Sequence, residues 1–133
     1  MAATTRPRTA EADLTGVLLA VIAAALILPG ILAFVAPGAF YDQIAGYPPR
    51  NDHFLRDLGA FQIGLGGLAF LAWLQPQIRR AAYAILALHF ALHTISHVID
   101  VSNADPAWQG PLSLVFEALA TAVLVVLFVR ERR

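Results

Sequence analysis

Four apolar runs divide this chain, each close to the roughly 20 residues needed to cross the hydrocarbon core of a bilayer. They cover residues 14–35 (LTGVLLAVIAAALILPGILAFV), 58–74 (LGAFQIGLGGLAFLAWL), 81–101 and 112–129. In lipid every backbone N–H and C=O must be satisfied within the chain, so runs of this length fold as helices. Composition points the same way, with 133 residues that are 59% hydrophobic and only 14% charged. A soluble domain of this length exposes too much surface to sustain that balance. The expected fold is therefore all-α: one transmembrane domain over residues 1–133, an integral membrane four-helix bundle.

The connections set the expected topology. QPQIRR separates the second and third runs and SNADPAWQGP the third and fourth, so these neighbours should be antiparallel in an up-down-up-down arrangement. Only the outer loop 36–53 is long; its middle, AFYDQIAGY, reads as a short amphipathic helix at the membrane surface. Pro29-Gly30 marks an expected kink near the end of the first helix. That first run is longer than the apolar core of a secretory signal, and no small-residue cleavage site follows it, so it reads as a retained helix. Orientation follows from arginine. Arg6, Arg8, Arg79, Arg80, Arg130, Arg132 and Arg133 share one side, leaving Arg50 and Arg56 on the other. Both termini are thus expected in the cytoplasm, with the chain a multi-pass protein of the cell inner membrane. Trp73 and Tyr83 would mark the inner interface, and Tyr41, Tyr47 and Trp108 the outer one.

The third run carries HFALHTISHVID, residues 89–100, which holds three of the four histidines at intervals of four. Each i+4 step on a helix drifts by about 40°, so His89, His93 and His97 share an arc of about 80°. Asp100 lies beside that arc, and the stripe climbs about 16 Å toward the outer surface. A polar stripe facing lipid is costly, so it should face the bundle interior. The expected topology brings Asp57 and Gln62 from the second helix and Glu117 from the fourth to the same outer half. Asp57 is expected in the first turn of its helix, where a carboxylate suits the dipole and is within reach of a histidine. Glu117, a lone carboxylate within an apolar run, is the sharpest functional pointer, and pairing with His97 is one expectation for it.

Three readings of this cluster remain open: a structural hydrogen-bond network, a metal or haem site, and a small-molecule or quinone-type pocket. Histidines at i and i+4 with a carboxylate from a neighbouring helix make His93, His97 and Glu117 the candidate metal ligands. On the second helix, Ala60, Gly64 and Gly67 form a small-residue face expected to pack against another helix. With no cysteine, thiol chemistry and disulfides are excluded. The nine arginines balance nine acidic residues, so no net field invites nucleic acid. Neither a P-loop nor a dinucleotide glycine spacing occurs.

RDLGAFQIGLGGLAF at 56–70, followed by HTISHVID at 93–100, resembles small bacterial membrane proteins of the DoxX-like type. The resemblance covers the second to fourth helices best and extends in hydropathy to the whole chain. It implies a four-helix transmembrane bundle. Some relatives are small subunits of membrane redox complexes, including quinone-linked ones, which implies a place beside a larger partner. The leading expectation is an accessory or stabilising subunit of a larger membrane complex, or a homo-oligomer. The alternatives are a redox, haem- or metal-dependent enzyme centred on His93, His97, Asp57 and Glu117, and a binder of a lipid-like hydrophobic ligand. The sequence requires no cofactor; haem, a metal ion and a quinone all stay open.

Overall fold

The computed structural model describes residues 10–131, with side chains from Leu14 onward. Arg6, Arg8, Arg132 and Arg133, on which much of the expected orientation rests, lie outside the described residues. Five α-helices and one 3-10 turn make up the described chain, which contains no strand: α1 (Ala10–Val35), α2 (Pro37–Gln43), α3 (Asp52–Leu74), the turn Pro76–Ile78, α4 (Arg79–Asp100) and α5 (Gln109–Arg130). The helices α1, α3, α4 and α5 are each long and apolar enough to cross a membrane. Large apolar side chains on all four, among them Val21, Leu28, Leu71, Leu88, Leu92, Phe116 and Leu119, face outward. Exposure of this kind suits a lipid solvent, and the chain is a membrane protein.

Local chemistry accounts for the element boundaries. Helix α1 runs through Pro29 to Val35, and α2 restarts with Pro37 in its first turn, where the missing N–H is harmless. Helix α3 begins six residues before the apolar run expected at 58–74. Asn51 supplies the reason: its Oδ1 accepts from the backbone N–H groups of His53 (3.1 Å) and Phe54 (3.2 Å), a side-chain N-cap. Asp52, rather than Asp57, is the acidic residue of the first turn. At the other end of α3 the Arg79 side chain donates through Nε to the Ala72 carbonyl (3.1 Å), covering one of the orphan acceptors that end a helix.

The long helices associate as two pairs, α1 with α3 and α4 with α5. Within the first pair the crossing is set by glycine. A Cβ on Gly59 would stand 2.6 Å from the Gly30 carbonyl oxygen, and one on Gly66 would meet Ile27 at 2.5 Å. The expected packing face of Ala60, Gly64 and Gly67 is not the one used. Ala60 is exposed, and Gly64 and Gly67 have no heavy atom within 4 Å of a Cβ position. Gly59 and Gly66 are two turns apart and share a face, so α1 meets α3 there; the other small residues lie round the helix from that contact.

The two pairs meet through one apolar core at the end of the molecule where the Pro76–Ile78 turn lies. It joins Leu19, Ala23 and Leu26 of α1, Ala69 and Ala72 of α3, Ala82, Tyr83 and Leu86 of α4, and Leu124 and Leu127 of α5. Tyr83, expected at a membrane interface, is instead fully buried within this core. Toward the opposite, loop-bearing end the space between the pairs opens into a cavity.

Candidate functional site

The cavity measures about 780 Å³ and is walled by α2, the loop that follows it, and the loop-end halves of α3, α4 and α5. Phe40, Ile44, Phe54, Leu55, Leu58 and Phe61 give it apolar surface, while Gln62, His93, Ser96, His97, Asp100, Ser113 and Glu117 supply polar groups. It thus joins a greasy wall to a polar one. The polar wall is built by α4 and α5 because the i, i+4 spacing puts His93 and His97 on one side of α4, where α5 presents Glu117.

Around the histidines the geometry is close. The rings of His93 and His97 stack in parallel with centroids 4.8 Å apart, and His89 meets His93 edge-on at 5.6 Å. One ligand atom each from His93, His97 and Glu117 lies within 4.8 Å of the others. The backbone below is tied by hydroxyls: Thr94 Oγ1 and Thr121 Oγ1 lie 3.2 Å apart, bridging α4 and α5. Because each hydroxyl has one proton, one of the pair donates across to the other, which in turn donates to the i−4 carbonyl of its own helix, Phe90 for Thr94 (2.7 Å) or Glu117 for Thr121 (2.9 Å).

Two oxygens of cavity-lining residues are buried without a hydrogen-bond partner, Gln62 Oε1 on α3 and Glu117 Oε2 on α5. Each such group costs on the order of 1–3 kcal/mol when left unmet. Glu117 makes no ion pair with His97, in contrast to one of the expectations drawn for it.

The remaining sequence candidates divide. Gln62, His93, His97, Asp100 and Glu117 all line the cavity. Asp100 accepts from Asn103 Nδ2 (2.9 Å) near the mouth. Asp57 reaches the rim but faces solvent, and its partner is His53 at 3.5 Å on the same helix, not a histidine of α4. The rotation of α3 against α1, fixed by Gly59 and Gly66, sets which way Asp57 points, and the earlier start of the helix supplies His53 one turn back as its partner. His89 stands a turn below the cavity wall, against His93 and Phe90.

The two loops at this end are joined by groups that periodicity does not reveal. The Gly46 N–H donates to Gln109 Oε1 (3.1 Å), and the Asp105 N–H donates to the Gly46 carbonyl (2.7 Å). Gly46 is buried, and a Cβ there would collide with the Asp105 carbonyl. Beside it, the Tyr47 hydroxyl hydrogen-bonds His97 Nδ1. Burial and the negative charge of Asp100 hold the Tyr47 phenol above its ordinary pKa, so it is neutral at physiological pH. The sequence signal for this clamp was slight: a glycine-tyrosine pair before Pro48-Pro49, and a glutamine opening an apolar run.

Four membrane-length helices, of which α3, α4 and α5 wall an open, two-faced cavity, define a small helical membrane protein. A family model described as a domain of unknown function, DUF4345, matches residues 14–128, and the chain belongs to that family. No curated protein and no solved structure matches the chain.

Proposed function

We propose that this protein binds an amphiphilic small molecule in the cavity, apolar tail against Phe54, Leu58 and Phe61 and polar head against Gln62, His97 and Glu117. The observation that carries the reading is the pair of buried acceptors, Gln62 Oε1 from α3 and Glu117 Oε2 from α5, on residues lining a chamber about 780 Å³ in volume. A chamber of that size suits a drug-sized or lipid-sized ligand. Unmet acceptors select a head group that donates hydrogen bonds, such as a hydroxylated lipid or a reduced quinone. In this reading the chain is an up-down-up-down bundle of the inner membrane with cytoplasmic termini, so that the cavity opens toward the outer leaflet. The accessory-subunit role drawn from the DoxX-like resemblance needs no chamber, and the chamber is what favours binding over it.

The test is extraction and mass spectrometry of lipophilic molecules carried by protein purified in mild detergent. The reading expects one hydroxyl-bearing species in near-stoichiometric amount, lost on Ser96→Trp, which fills the chamber from its wall. Recovery of bulk membrane lipids alone, in equal amounts from wild type and variant, would overturn it.

A further inference from the structure

We infer that His93, His97 and Glu117 form a binding site for a divalent transition-metal ion of the zinc class, with one coordination position open to the cavity. The site includes His97 and Glu117, which also face the head group of the proposed amphiphile, but it does not rest on that reading, because its three protein ligands are present without an occupant.

The donor set carries the argument. Two imidazoles and one carboxylate are a common three-ligand set for zinc sites that keep an open position, and imidazole suits this group of ions over magnesium or calcium. The three donors come from two helices that are already fixed to each other through Thr94 and Thr121, so the site is held by rigid elements. Their ligand atoms lie within 4.8 Å of one another. Tetrahedral bonds of about 2.0–2.2 Å require neighbouring donors about 3.4 Å apart. Closing that gap requires the imidazoles to rotate out of their parallel stack so that a nitrogen of each points at the ion.

Two further observations point to a cation here. Glu117 Oε2 is a buried acceptor without a partner, and it stands with the imidazoles instead of pairing with an arginine. His97 Nδ1 is already held by the Tyr47 hydroxyl at 3.0 Å. A metal-bound imidazole generally has its second nitrogen engaged in this way, which orients the ring and leaves the other nitrogen for the ion. The other carboxylates near the mouth are occupied: Asp100 by Asn103, and Asp57 by His53. His93, His97 and Glu117 all line the cavity, so the fourth position faces the chamber, within reach of a water or a ligand oxygen.

The test is a cobalt(II) titration of full-length protein in detergent, stripped of metal and extracted of lipid beforehand. Wild type should take up one equivalent with the visible absorption of four-coordinate cobalt, and zinc should displace it. His93→Gln and Glu117→Gln should each weaken binding more than tenfold, while Tyr47→Phe should weaken it by roughly 10-fold, the lower range for second-sphere partners. His53→Gln, on the exposed His53–Asp57 pair, should leave the titration unchanged. The two ligand variants alter different helices, so the loss of one to misfolding, read by circular dichroism, leaves the other informative. Absence of saturable cobalt uptake by wild type would overturn the proposal. So would uptake that survives both ligand variants or that His53→Gln removes. Because lipid is removed first, failure here leaves the amphiphile reading standing, and failure of that reading leaves this one standing.

Discussion

The Tyr47 hydroxyl lies 3.0 Å from His97 Nδ1, joining the loop after α2 to the last turn of α4 across fifty positions of sequence. The phenol lines the chamber and holds one of its histidines with a single bond. Tyr47→Phe removes the bond and keeps the ring, so it should destabilise the protein by about 0.5–1.5 kcal/mol, the usual net worth of one such interaction. The measurement is a thermal melt in detergent at constant lipid; an unchanged midpoint would mean the contact carries no energy.

Titration gives a second prediction from the same residue. Burial, then the charge of Asp100, favours neutral Tyr47, so its folded pKa lies above the ordinary value of 10.0. A raised pKa in an acid means that the stabilisation is complete below the unfolded pKa and is lost as pH rises through the folded one. Tyrosinate absorbance of wild type minus Tyr47→Phe should therefore show a transition displaced to the alkaline side of free tyrosine. A difference curve centred at or below the free value would contradict the burial of this phenol.

Gly46 and Gln109 should be the most sensitive positions in the loops. Gly46→Ala drives a methyl group into the Asp105 carbonyl, and Gln109→Ala leaves the Gly46 N–H buried without an acceptor. Losses on the order of 1–3 kcal/mol are expected for an orphaned buried donor. Limited proteolysis should then cut between α2 and α3 faster in either variant than in wild type. Equal cleavage rates would show that the clamp does not hold the loops.

The glycines of α3 separate cleanly into two groups. Gly59→Ala and Gly66→Ala force α1 and α3 apart and should cost on the order of 1–3 kcal/mol, typical of overpacking. Gly64→Ala and Gly67→Ala meet nothing within the chain and gain helix propensity, so they should be neutral or stabilising by up to about 1 kcal/mol. Destabilisation by Gly64→Ala or Gly67→Ala would mean that this face packs against a second copy or another protein.

Gln62→Leu offers a test of the unmet acceptor. It removes a buried oxygen while keeping bulk against Gly30, so the ligand-free protein should melt higher by an amount reflecting up to about 1–3 kcal/mol. The same change should reduce recovery of the carried amphiphile. A lower midpoint in the ligand-free state would mean that Gln62 makes an interaction that its geometry does not reveal.

The parts of this molecule that are local in the chain were legible in its residues. Run length and composition required helices in lipid, and the i, i+4 spacing alone placed His93 and His97 on one face, because both depend only on helix pitch and solvent. Glu117 was found for the same reason: a carboxylate inside an apolar run has few places to go. Tertiary structure decided which faces meet. Two registers of small residues on α3 were available, and only the crossing with α1 at Gly30 selected Gly59 and Gly66 over Gly64 and Gly67. The Asn51 cap started α3 early enough to place His53 one turn before Asp57 as its partner, while the path of the first loop brought Tyr47 to His97. Sequence periodicity gives each helix a polar and an apolar side, but it holds no record of the rotation at which two helices pack, and that rotation made the chamber.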